Sequence, residues 1–154
     1  QFASSAASDV YKRQEYTPDL FEESTYRGNP SPISMKIALA QAGDMQIELI
    51  EPTGKQANIY RDTVPEGKTA FHHLCYWTDD IDGEISSLVE QGYEVAATGV
   101  VAGSGATFAY VDTSPVLGHM TELLTYSDDI KGLFDMVAAA SIEWDGSDPK
   151  RPLG

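Results

Sequence analysis

The sequence predicts an α+β fold with an internal duplication, and three observations carry that expectation. Short apolar runs of strand length alternate with turn-forming residues along most of the chain. From residue 70 onward the elements read β-α-β-β-β. One pattern occurs twice, as Ile47-Glu48-Leu49-Ile50 and Thr121-Glu122-Leu123-Leu124, with the two glutamates 74 residues apart. A carboxylate inside an apolar strand is costly to bury unless something pairs with it, and a metal ion is a common partner.

Taken in order, residues 1–14 are polar and small, with no period of 2 or 3.6. The stretch SSAASDVYKRQ resembles translated sequencing-adaptor read-through at the ends of metagenome-derived reading frames, so this segment is expected to be non-native or disordered. Residues 17–26 are read as an edge strand, and Arg27 to Pro32 as a turn by composition. Met35–Ala40 and Met45–Ile50 form a hairpin around Gly43, closed by Pro52. Residues 53–69 are polar, with a short helix around Asn58 to Thr63. Phe71 to Trp77 is the next strand.

Asp79 to Gln91 carries the clearest helical pattern. Ile81, Ile85, Leu88 and Val89 share one face, acidic residues crowd the first turns, and Gly92 suits a left-handed helix end. Residues 93–97, 106–112 and 119–126 are strand-like, and Gly103-Ser104-Gly105 is a hairpin turn. Ile130, Leu133, Phe134 and Val137 mark a last amphipathic helix before a polar tail in which Trp144 is an anchor candidate.

Composition narrows the function. A formal net charge of −14 opposes nonspecific binding to nucleic acid or anionic membranes. No apolar run approaches the roughly 20 residues needed to cross a bilayer. The single cysteine, Cys75, leaves no internal disulfide and no cysteine zinc cluster, which fits a reducing cytoplasm.

Strand alternation then selects the site candidates. Phe71, His73, Cys75 and Trp77 share one face of their strand, Glu48 lies with Gln46 and Ile50, and Glu122 lies with Met120 and Leu124. Glu48, His73 and Glu122 are therefore expected to converge as one imidazole and two carboxylates. That set suits Zn, Ni, Co, Fe(II), Mn or Mg without choosing among them. Such a metal polarises a substrate oxygen, and a carboxylate beside it shuttles a proton. Gln46, Cys75, Trp77 and Tyr110 are candidates to line a substrate pocket, although a small buried hydrophobe is the favoured reading of Cys75. Tyr76, Trp77, Phe108 and Tyr110 are read mostly as core. His72 is expected to face away from the site, His119 to belong to a turn, and Arg61 and Lys68 to be solvated surface.

The segment FHHLCYWTDDIDGEISSLVEQGYEV, followed by FAYVDT and GHMTELL, resembles the second βαβββ module of the vicinal oxygen chelate superfamily, which holds glyoxalases, epimerases, bleomycin-resistance proteins and extradiol dioxygenases. MKIALAQAGDMQIELIEP resembles the end of its first module. The resemblance implies paired βαβββ modules forming a curved, cup-like mixed sheet. Residues 15–52 would be a partial first module, 53–69 a linker, 70–126 the second module, and 127–154 a C-terminal helix and tail. No histidine precedes His72, so the first module is expected to be incomplete.

In the epimerase and glyoxalase I branches, ligands come from the first and last strands of each module. This implies Glu48, His73 and Glu122 here, with no counterpart for a fourth. The activity implied is that of a metal-dependent lyase or isomerase moving a proton next to a carbonyl of a small oxygenated substrate. Glu122 would be ligand and acid or base, in a chain acting as a homodimer. The rivals are a metal-free binding protein of resistance type and an extradiol-type dioxygenase, against which Glu48 weighs.

Overall fold

The computed structural model describes residues 9–16 and 21–147. The chain is α+β, with nine strands, β1 to β9, and four helices, α1 to α4, among the described residues. It divides into two compact units. One comprises residues 1–17, 34–53 and 129–154, and the other comprises residues 18–33 and 54–128.

The first unit is a three-stranded antiparallel sheet in the order β1-β4-β5, joined by a C-terminal helix. β1 spans Asp9–Tyr16, β4 Met35–Ala42 and β5 Met45–Pro52. The two-residue link Gly43-Asp44 closes the β4–β5 hairpin as expected, with Gly43 at φ 62° supplying the left-handed conformation. The helix α4, Asp128–Ala139, covers β4. Leu39 and Val137 are buried together, with Ile37, Leu133 and Phe134 packed around them. Three of the four apolar positions predicted for this helix thus meet the sheet.

β1 differs from the expectation for residues 1–14. Its pairing with β4 from Asp9↔Gln41 to Tyr16↔Met35 is set by backbone hydrogen bonds, which need no side-chain period. The expectation for residues 1–8 lies outside the described residues.

The second unit contains a six-stranded sheet, β3-β2-β7-β8-β9-β6. Its centre is the predicted β-α-β-β-β sequence. This runs through β6 (His73–Thr78), α2 (Ile81–Glu90), β7 (Glu94–Val101), β8 (Thr107–Asp112) and β9 (Met120–Thr125). β6 lies parallel to β9 and the others are antiparallel. Asp80 caps α2 by accepting the amide of Gly83 at 3.0 Å, and the helix packs on β7, β8 and β9. Ile81, Ile85 and Leu88 are half-buried, while Val89, predicted on the same face, is exposed. Short helix α3, Ser114–Leu117, interrupts the β8–β9 connection, between the two predicted strands.

Residues 18–33 cluster with this second unit, not with the first module to which the sequence assigned them. β2 (Phe21–Tyr26) is not an edge. It pairs with β7 from Phe21↔Val101 to Tyr26↔Ala97, while β3 (Asn29–Pro30) lies outside it. The contacts that hold it are distant in sequence. The Thr25 and Thr98 hydroxyls bond at 2.8 Å, and Arg27 forms ion pairs at 2.9 Å with Asp62, Glu94 and Asp112. Gly99 permits this approach, because a β-carbon there would stand 2.7 Å from the Glu23 carbonyl oxygen and 2.6 Å from the Phe108 ring.

Candidate functional site

The site is built on three neighbouring strands of the second unit. Sheet register sets Tyr110 of β8 opposite Glu122 of β9, and Glu122 opposite Cys75 of β6. His73 pairs with Met120, one diagonal step from Glu122 on the same face. His73 Nε2 consequently lies 3.2 Å from Glu122 Oε2, with the two side chains 10% and 13% exposed. An imidazole nitrogen and a carboxylate oxygen this close, and so shielded from water, make a donor pair suited to a divalent cation.

Aromatic rings surround the pair. Tyr110 is buried, and its ring meets that of His73 edge-on at 5.1 Å. Tyr60 is buried 6.1 Å from Tyr110. It belongs to α1, Ile59–Thr63, whose start is fixed by Asn58. The Asn58 side chain accepts the amides of Tyr60 and Arg61 at 3.1 and 3.2 Å.

His72 is the residue that sequence reasoning missed. Strand alternation would turn it away from His73, but β6 begins at His73 and His72 precedes the pleat. Its carbonyl accepts the Met120 amide at 2.8 Å. Its Nδ1 lies 3.0 Å from His73 Nδ1, and its Nε2 lies 3.1 Å from the Ile59 carbonyl oxygen. The signal in the sequence was the adjacent histidine itself, but nothing local announces its link to Ile59.

Glu48 is exposed on β5, in the first unit. Gln46 is also on β5, and its Nε2 donates to the Phe134 carbonyl at 2.7 Å, tying that strand to α4. Cys75 is exposed, which corrects its reading as a buried hydrophobe, because β6 lies at the edge of its sheet. The same edge leaves Tyr76 and Trp77 exposed where core was expected, and Trp77 rests against Tyr126 with ring centres 5.8 Å apart. Phe108 and Tyr110 are core as predicted. His119 sits in the turn after α3, with Nδ1 2.8 Å from the Met120 carbonyl. Arg61 is partly buried and Lys68 exposed.

The strongest electrostatic feature of this unit is separate from the pair. Asp62 raises the Arg27 guanidinium above its ordinary range by hydrogen bonding, and Asp112 adds to that effect. Burial pushes the Asp112 carboxyl up, but hydrogen bonds from Ser114 and Arg27 reverse this and hold it below the usual carboxylate value. The Tyr26 hydroxyl donates to Asp62 at 2.7 Å, which raises its pKa. With its cation matched by three carboxylates, the cluster clasps the end of β2 to α1, β7 and β8.

Among the described residues no helix is long and apolar enough to cross a membrane. A comparison with curated protein sequences gives no match. Among solved structures, the chain is similar to a hypothetical protein from Bacillus halodurans C-125. The two are 21% identical, with a TM-score of 0.51 over 76% of this chain and 75% of that one. A glyoxalase family protein from Bacillus cereus matches at 20% identity and a TM-score of 0.35, over 62% of this chain and 64% of that one. The family model for the glyoxalase/bleomycin resistance protein/dioxygenase superfamily matches residues 5–110, a span that holds Glu48 and His73 and stops short of Glu122. With more than half its length matched, the chain belongs to the glyoxalase/bleomycin resistance protein/dioxygenase superfamily.

Proposed function

We propose that the chain is a metal-dependent lyase or isomerase that moves a proton next to a carbonyl of a small oxygenated substrate. The observation that carries this reading is the shielded approach of His73 Nε2 to Glu122 Oε2 at 3.2 Å. Glu48 is proposed as a third ligand. Its support is topological, since β5 ends the antiparallel run β1-β4-β5 in one unit and β9 ends the antiparallel run β3-β2-β7-β8-β9 in the other. Glu48 and Glu122 occupy the same place in the repeated motif on those strands.

A divalent cation bound there would supply Lewis acidity toward a substrate oxygen. The chain's own residues do the rest. His73 and Glu122 hold the cation. Glu122 takes or returns the proton at a carboxylate oxygen, and low exposure keeps water from competing for it. Tyr110 and Tyr60 wall one side with aromatic surface. The exposed aromatic Trp77, on the same face of β6 as His73, offers apolar contact to the rest of a small substrate.

The chain is further proposed to work as a homodimer. Met45, Ile47 and Leu49 of β5 are exposed, and no further strand pairs with β5 among the described residues. Sedimentation showing a monomer at micromolar concentration would remove this part of the reading.

The first test is elemental analysis of protein purified without added metal or chelator. Near one metal per chain is expected, lost in His73→Ala. Glu122→Ala is expected to abolish solvent-deuterium exchange into a panel of small 2-oxo acids, hydroxyketones and thioesters while keeping the wild-type circular dichroism. Exchange at the wild-type rate in that variant sinks the role of Glu122. An absence of metal together with chelator-insensitive ligand binding would favour the resistance-type reading.

A further inference from the structure

We infer that His72 is a positioning residue for the site: it keeps the proton of His73 on Nδ1 and so leaves Nε2, the nitrogen beside Glu122, as an electron-pair donor. The inference deepens the metal-centre reading and rests on it for its functional meaning, while the proton arrangement follows from the contacts of the two rings in their neutral form.

The chain of hydrogen bonds starts at a group that can only accept. The Ile59 carbonyl oxygen lies 3.1 Å from His72 Nε2, so that nitrogen carries a hydrogen and donates it. A neutral imidazole holds one N–H, which leaves His72 Nδ1 as an acceptor. His73 Nδ1 lies 3.0 Å from it and must be the donor. The remaining nitrogen of His73, Nε2, then has no hydrogen. It faces Glu122 Oε2 at 3.2 Å, so two electron-rich atoms converge with their side chains about nine-tenths buried. That convergence is unfavourable by itself and favourable around a cation. A ligating histidine commonly donates its other N–H to an acceptor that fixes its tautomer and ring orientation. Here the acceptor is a second histidine.

The surroundings hold the relay in line. The Tyr60 and His72 rings lie 4.9 Å apart, and Tyr110 lies 5.9 Å from His72 and 5.1 Å from His73. The Asn58 cap fixes the start of α1, from which the Ile59 carbonyl projects. The pair His72-His73 thus has divided roles, with one ring orienting and the other binding.

The test is nitrogen-15 NMR of the histidine rings, which distinguishes the two tautomers through two-bond nitrogen–proton couplings. With three histidines in the chain, the signals are assignable by single substitution. At about pH 9, where ordinary imidazoles are neutral, wild-type protein is expected to show His73 as Nδ1–H and His72 as Nε2–H. His73 found as Nε2–H would overturn the inference without need of any variant.

His72→Phe keeps a ring between the tyrosines and removes the acceptor. It is expected to move His73 toward Nε2–H and to weaken zinc binding about 10- to 100-fold. His72→Gln restores a side-chain acceptor and is expected to recover part of both. A His72→Phe protein with an unchanged His73 tautomer would overturn the inference. The metal reading fails separately: if zinc does not bind wild-type protein while His73 is Nδ1–H, the centre is lost and the positioning of His73 stands.

Discussion

Two strands with closely related sequences have different surroundings in this protein. Ile47-Glu48-Leu49-Ile50 lies on β5, the edge of a three-strand sheet, and Thr121-Glu122-Leu123-Leu124 on β9, between β8 and β6 of a six-strand sheet. On β9, Leu123 is 5% exposed, whereas on β5 its counterpart Leu49 is 37% exposed. The structural distinction is β6, which covers the outer side of β9 in parallel register. No strand plays that part for β5 among the described residues. The value of a short apolar motif is therefore set by what lies beside it. Burial of the same leucine contributes strongly in one unit and weakly in the other.

The largest expected effect tests that contrast directly. Leu123→Ala should cost about 2–5 kcal/mol, and Leu49→Ala about 1 kcal/mol or less, as for a partly exposed site. Urea unfolding followed by intrinsic fluorescence measures both. The two tryptophans, Trp77 and Trp144, lie one in each unit. Trp144→Phe therefore leaves a reporter of the second unit alone, and Trp77→Phe one of the first. Equal losses from the two leucine variants would show that exposure misstates the difference.

A smaller effect is expected where β2 extends the second unit's sheet. Gly99→Ala would drive a β-carbon against the Glu23 carbonyl and the Phe108 ring. Overpacking of this kind costs about 1–3 kcal/mol, and protection of the β2 amides in hydrogen exchange should fall with it. Unchanged protection would mean that β2 is held by its side chains and not by close backbone approach.

The smallest effect concerns the clasp around Arg27. Arg27→Met should cost about 1 kcal/mol at neutral pH, because partly exposed ion pairs are individually weak. Its pH dependence carries a sign. The Asp112 carboxyl sits below its ordinary value of 3.8 in the folded chain. The corresponding stability is present above that value and is lost as the pH falls through the lower folded one. The gap between wild type and Arg27→Met should accordingly narrow on acidification below about pH 4. Thermal unfolding across that range reads it, and a gap independent of pH would exclude Asp112 as the partner that matters.

The local elements were legible because their signals are local. The period of Ile81, Ile85 and Leu88 marked α2, the Gly43 and Gly103-to-Gly105 turns marked two hairpins, and Asn58 marked the start of α1. β1 was not legible, since a strand held by its backbone against β4 needs no alternation of its own. The partnership of β2 with β7 was equally hidden, because Thr25 and Thr98 are 73 residues apart. At the site, alternation along β6 and β9 led to His73 and Glu122 and wrongly turned His72 away, since it assumed that the pleat began two residues earlier than it does.

The sequence by itself determined the α+β class, the β-α-β-β-β order of the second unit and the strands that carry imidazole and carboxylate donors, because residue period and donor chemistry belong to the residues themselves. Only the tertiary structure decided that β9 has a neighbour on its far side and that β5, paired with β4, has no second one among the described residues. It also decided that residues 18–33 join the second unit and that His72 leans on the Ile59 carbonyl. These are outcomes of pairing between distant segments. The energy of such pairing comes from surfaces that meet only after the chain has folded, so no single stretch of residues encodes it.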